Sequence, residues 1–219
     1  MDDMIRNMII GSIVLVLASL YGGDTLGSWF HVDAEIEDKE LGGEIELKAE
    51  FYLEGYEYEV SVSGDGESED FDGDVDYDDN DCSNPDYSGA SDCDEMYDLM
   101  QGKIQNLLYI VILAGGAALF FLNDGDEEKG SIACLVMGGA GLLAVMLFAT
   151  GFPEALDDDT EAFETVDEDP SVMGDNNDFG EDMFGSDTDS ELNWRPGIAL
   201  ALVALSGILG MAAYFDLKK

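Results

Sequence analysis

The stretch IQNLLYIVILAGGAALFFL, Ile104 to Leu122, decides the fold class. It contains no Asp, Glu, Lys, Arg or His. A bilayer core about 30 Å thick takes roughly 20 apolar residues as helix, and this stretch has that length. The run SIACLVMGGAGLLAVMLFATG follows from Ser131 to Gly151, and Gly197 to Phe215 is apolar in the same way. Met4 to Leu20 is a fourth run, with Arg6 as its single charge, close to its start. The expected fold is therefore an α-helical integral membrane protein. A four-transmembrane-helix bundle would use spans over 4–22, 103–122, 131–152 and 195–216. The first run has a second reading as a cleaved signal peptide. However, Asp2, Asp3 and Arg6 give its flank no positive excess, and no clear small-x-small site follows Leu20.

The chain of 219 residues has 50 acidic and 8 basic side chains, a net charge of −42, yet 46% of it is hydrophobic. Segregation reconciles these figures: 27 acids lie between Gly23 and Gly102 and 16 between Pro153 and Trp194. Such charge excludes nucleic-acid binding, which needs clustered Lys and Arg. With four spans, Arg6, Lys129, Lys218 and Lys219 fall on one side, and Lys103 and Arg195 near helices on the other. Positive residues favour the cytoplasm, and the acidic segments hold two of the three Cys. The expectation is a multi-pass cell-membrane protein whose partner is the lipid bilayer. Its termini, including the tail 217–219, and the turn 123–130 are cytoplasmic; the loops 23–102 and 153–194 are extracellular.

No span carries an internal Asp, Glu, Lys or His, which weighs against a proton relay, channel or transporter. Small residues recur in the third span (Cys134, Gly138, Gly139, Gly141, Ala144) and in the fourth (Ser206, Gly207, Gly210, Ala213). They let helix backbones approach within the bundle.

In the first loop the period changes to two. Phe30, Val32, Ala34 and Ile36 alternate with polar residues, as do Ile45, Leu47, Ala49, Phe51 and Leu53, and then Tyr56, Tyr58, Val60 and Val62. This predicts a three-stranded antiparallel meander with one apolar and one acidic face. A two-residue connection at Glu54 and Gly55 would pair Leu53 with Tyr56 and Phe51 with Tyr58. Gly64 to Asp81, almost all Asp, Gly, Ser and Glu, is expected to be an exposed mobile loop. Cys82 and Cys93 follow, and an oxidising outer setting points to a disulfide worth roughly 3 kcal/mol. A metal site there lacks ligands, since His31 is the only histidine and no CxxC occurs.

Asp70, Asp72, Asp74, Asp76 and Asp78 recur at every second position and are weak candidates for Ca²⁺ or another cation. The EF-hand spacing fails, however. Counting from Asp74, the sixth residue is Asp79 instead of Gly and the twelfth is Pro85 instead of Glu. The competing reading is halophilic adaptation, with carboxylates keeping the surface hydrated in salt-rich water. No firm metal site, cofactor or catalytic group follows: His31 falls on a strand's solvent face, and there is no Gly-rich phosphate loop. The protein is expected not to be an enzyme. In the second loop Phe163, Val166, Val172, Met173, Phe179, Met183 and Phe184 punctuate the acid and are expected to dock a short helix or edge strand onto the sheet. Trp194, before Arg195 and Pro196, is expected at the water–lipid boundary, and Trp29 as a similar anchor or as the sheet's contact with the bundle.

This layout resembles the claudin and peripheral-myelin-protein superfamily of tetraspan proteins. A tryptophan, Trp29, follows soon after the first helix. A β-rich outer segment then has Cys82 and Cys93 about ten residues apart and leads into the second helix through Met96, Tyr97, Asp98 and Leu99. A short inner turn, a second outer loop and a fourth helix complete the match. The resemblance implies a helix bundle with a small antiparallel sheet at its extracellular end. It also implies a non-enzymatic role in self-association, adhesion or accessory-subunit contacts with another membrane protein. A membrane-anchored acidic module that binds or senses cations is the alternative.

Overall fold

A computed structural model of the chain describes residues 3–22, 26–38, 43–64, 67–77, 93–160, 173–176 and 188–218. The chain forms two compact units. One comprises Trp29–Leu99 and Ala149–Gly197, the other Met1–Ser28, Met100–Phe148 and Ile198–Lys219.

The first of these is built on a sheet of β1 (Phe30–Asp38), β2 (Gly43–Phe51), β3 (Gly55–Gly64), β4 (Glu67–Asp76), β5 (Gly174–Asn176) and β6 (Thr188–Pro196). The strand order is β4-β3-β2-β1-β6-β5, and every neighbouring pair is antiparallel. The expected three-stranded meander is thus the centre of a six-stranded sheet. Most of the expected mobile loop is β4. Its alternation of Asp with Phe71, Gly73 and Val75 is a strand pattern with a solvent face of pure acid.

The hairpin register also differs from expectation. Phe51 faces Tyr56 and Leu47 faces Val60, two residues away from the expected pairing. Leu53 is 5% exposed, taken into the core instead of the ladder, and the Glu54 carbonyl accepts from the Tyr77 N–H at 3.0 Å. A slip of two preserves the side-chain period, so every residue keeps its expected face. In the second loop two strands join the sheet: β6 pairs with β1, and β5, directly after Met173, is the edge strand the sequence leads one to expect.

The other unit is helical: α1 (Asp3–Tyr21), α2 (Asp94–Asp124), α3 (Glu127–Thr160) and α4 (Ile198–Leu217), of which α2 and α3 also extend into the sheet unit. All four are long and apolar enough to cross a membrane. α2 contains a π-helical stretch, Asp98–Gln105, before regular α-helix resumes at Asn106. It ends at Gly125, whose φ of 86° is open to glycine at little cost; the Gly125 and Asp126 N–H groups donate to Leu122 and Phe121. α3 runs past the expected boundary at residue 152 through Pro153, because Ala155, Leu156 and Asp159 are buried along its last turns.

Within the helical unit the small residues set how close the helices come. A Cβ on Gly138 would lie 2.6 Å from the Met211 backbone nitrogen, and one on Gly210 would lie 2.7 Å from Gly138. Gly141 and Gly207 meet in the same way. Gly139, one position round the helix, faces open space. Between α1 and α4, the buried Ser12 and Ser206 hydroxyls hydrogen-bond at 2.8 Å. Leu113, Phe120 and Met146 remain exposed on this unit, an arrangement that water penalises and lipid does not. Gly138→Val should therefore destabilise the bundle by about 1–3 kcal/mol, since neighbouring backbone cannot yield, whereas Gly139→Val should be neutral within about 0.5 kcal/mol. Thermal unfolding of both variants in detergent checks the contrast.

Candidate functional site

The sheet's two faces differ completely in chemistry. Cross-strand neighbours point to one side, so the register lays the side chains out in rows. On the apolar side Val75, Tyr56, Phe51 and Phe30 form one row, and Gly73, Tyr58, Ala49, Val32 and Trp194 the next. Phe152, from the end of α3, packs on this side with its ring centroid 5.1 Å from Phe30 and 5.4 Å from Phe51. Phe51 stacks on Tyr56 at 5.2 Å, and the buried Tyr77 extends the cluster at 6.4 Å from Tyr56. Trp194, in the second of these rows, is buried, and so is Trp29 just before β1. Trp194 is a sheet residue opposite Val32, near the end of β6, which runs on to Pro196 before α4 begins at Ile198.

The opposite face is polar, and most of its side chains are carboxylates. Asp74, Glu57, Glu50, His31 and Arg195 make one row; Asp72, Glu59, Lys48, Asp33 and Asn193 the second; Asp70, Ser61, Glu46, Glu35 and Glu191 the third. Asp72 therefore faces Glu59, Asp74 faces Glu57, and Glu35 stands between Glu46 and Glu191. The cations of these rows are Arg195, 3.3 Å from Asp33, and Lys48, 3.4 Å from Glu46; His31 Nδ1 lies 3.6 Å from Glu50.

The candidate cation ligands are arranged along β4 and do not converge. Asp70, Asp72, Asp74 and Asp76 occupy alternate strand positions about 6.7 Å apart. Ca²⁺ needs oxygens within about 2.5 Å of one point. Among the described residues no group of three or more His, Cys, Asp or Glu is placed to hold a metal ion. Asp78 and Cys82 lie outside the described residues, and so does the expected Cys82–Cys93 pairing. Cys93 is buried just before α2, and Cys134 is a buried free thiol. Of the apolar residues expected to dock the second loop, only Met173 is described, and it is 61% exposed. Among the described residues Leu192, opposite Ala34, and Trp194, opposite Val32, join that loop to the sheet's apolar side.

One polar contact was not anticipated. Asp159 is 3% exposed, and its carboxylate accepts from the backbone N–H of Met96 at 2.8 Å and of Glu95 at 3.3 Å. Cys93, at the N-cap position of α2, makes no side-chain cap, so an aspartate 63 residues beyond Met96 satisfies the exposed N–H groups. Burial raises the Asp159 carboxyl above its ordinary range, the two N–H donors pull it down, and the nearby Glu95 and Asp94 push it up. Burial likewise holds the Tyr77 phenol well above its usual value, with Tyr56 and Asp159 adding to the effect. The sequence hint was Asp157–Asp158–Asp159 directly after the apolar Ala155 and Leu156, hidden among many other acids.

No protein-family model matches this chain, and no curated protein matches it either.

Two measurements follow from the charges. Like charges across a strand pair destabilise it, and their screening length falls from about 10 Å at 0.1 M salt to about 3 Å at 1 M. Molar NaCl should raise the unfolding temperature of the sheet unit by several degrees relative to 0.05 M, as followed by circular dichroism; no change would contradict the charge account. Because the folded-state pKa of Asp159 is raised, its favourable contribution is present below the unfolded value and is lost as pH rises through the folded one. Asp159→Asn, which keeps an acceptor, should match or exceed wild-type stability at pH 7, with the difference vanishing towards pH 4. Asp159→Ala should be less stable than Asp159→Asn by about 1 kcal/mol.

Proposed function

We propose that this is a non-enzymatic, multi-pass cell-membrane protein of the claudin and peripheral-myelin-protein type. Both termini are cytoplasmic, and the sheet is displayed outside, where it contacts another membrane protein or another copy. The observation that carries this proposal is the two-faced sheet. One side is closed by aromatic packing around Phe30, Phe51 and Phe152, and the other presents ordered rows of carboxylate. Such a surface suits recognition, since charge complementarity across an interface steers encounter and selects the partner.

The element order supports the family resemblance: a helix, a β-meander opened by Trp29, a helix preceded by Cys93, a short turn, a helix, two strands and a last helix. A Cys82–Cys93 disulfide belongs to the same proposal. The rival, a module that binds or senses cations, draws on the facing carboxylates. Their spacing favours a diffuse counterion layer over a single bound ion. Transport is disfavoured by spans that lack internal acid or histidine.

Crosslinking of the full-length protein in native membranes checks the contact. Covalent adducts formed through residues of the sheet's acidic face are expected. Recovery of monomer alone, at crosslinker levels that capture a known membrane complex in the same sample, would contradict it.

A further inference from the structure

Among the described residues β4 has a long open edge. It pairs with β3 over ten residues, from Gly55 opposite Asp76 to Gly64 opposite Glu67, and among the described residues no strand pairs with its other side. At the far end of the sheet β5 has only three residues. A ten-residue edge offers a row of backbone donors and acceptors to any strand that can approach it.

Its side chains restrict which strand that can be. Asp70, Asp72, Asp74 and Asp76 line one side of β4. Phe71, Gly73 and Val75 line the other, preceded by Glu67 and Glu69, with Phe71 53% exposed. Antiparallel pairing of two copies through β4 would keep both acidic sides together and set aspartate against aspartate, which is repulsive. A cationic strand reverses the sign of the same term. Inward of the edge, a cleft of about 590 Å³ runs across β2, β3 and β4. Its lining includes Tyr52, and there Glu57, Glu59, Asp72 and Asp74 outnumber the one cation, Lys48, and leave room for long cationic side chains reaching in from an added strand.

We infer that β4 is a docking edge for an extended segment of a partner protein, with Lys or Arg at every second position and apolar residues between, added to the sheet as a further strand. This rests on the proposed contact role and narrows it: the partner at this edge is a basic chain and not a second copy.

The test uses the full-length protein in lipid nanodiscs and, as probe, a decapeptide of alternating Lys and Val, with empty nanodiscs subtracted. The probe should bind, and N-methylation of alternate peptide nitrogens, which blocks strand pairing without changing charge, should weaken binding at least about tenfold. Asp72→Asn with Asp74→Asn, a pair that preserves side-chain size, should weaken it as well. Asp72→Lys with Asp74→Lys should switch preference to a Glu–Val peptide. Equal binding of the N-methylated peptide would reduce the effect to bulk charge and overturn the proposal, as would failure of the probe to bind. In native membranes, a photo-crosslinker at position 71 should capture an alternating basic segment. Capture of another copy's β4 would overturn it. Adducts found only elsewhere on the sheet would overturn the edge assignment while leaving the contact role standing; no adduct anywhere would remove both.

Discussion

The architecture depends on the pairing of β1 with β6. Nine residues of each strand align, from Phe30 opposite Pro196 to Asp38 opposite Thr188. These strands come from opposite ends of the chain, β1 soon after the first helix and β6 just before the last. Bringing such distant segments together costs on the order of 4 kcal/mol in chain entropy. The ladder, continued by Gly197 N–H donating to the Trp29 carbonyl at 2.7 Å, and the burial of Trp194 offset that cost. In the helical unit Ala199 donates to the Ser28 carbonyl at 2.9 Å, and the Ser12–Ser206 pair ties α1 to α4. First and last helices are thus neighbours by the same logic that makes β1 and β6 neighbours.

That pairing constrains membrane topology. Two helices, α2 and α3, separate β1 from β6 along the chain, and two crossings return a chain to the side it left. A sheet shared by both loops is compatible with an even number of intervening spans and incompatible with one or three. In the proposed arrangement the acid is then concentrated on one side of the bilayer. The repulsion it creates is borne by a sheet whose other face is closed by packed aromatic rings, each such pair worth about 0.5–1.5 kcal/mol beyond burial.

Much of this was legible in the residues, for physical reasons that also explain the failures. The apolar runs are long and free of charge, so the helices stood out. The central strands alternate large apolar residues with acid, so their faces were assigned correctly even where the register slipped by two. β4 was misread because its polar period consists of aspartate, a residue depleted in strands, and only Phe71 and Val75 mark its inner side. β6 was missed because Leu192 and Trp194 are its only apolar inward residues. Asp159 could not be singled out by type: its role comes from a helix N-terminus 63 residues earlier in the chain, a relation that only the fold creates.

The central claim is that both acidic segments lie on one side of the membrane, opposite the termini, and share one sheet. Single-cysteine labelling in intact cells with a membrane-impermeant maleimide tests it most directly, using Asp74→Cys on β4, Glu191→Cys on β6 and Lys218→Cys near the C-terminus. The account predicts that positions 74 and 191 label in intact cells and position 218 only after permeabilisation. Labelling of 74 and 191 from opposite sides of the membrane would contradict it.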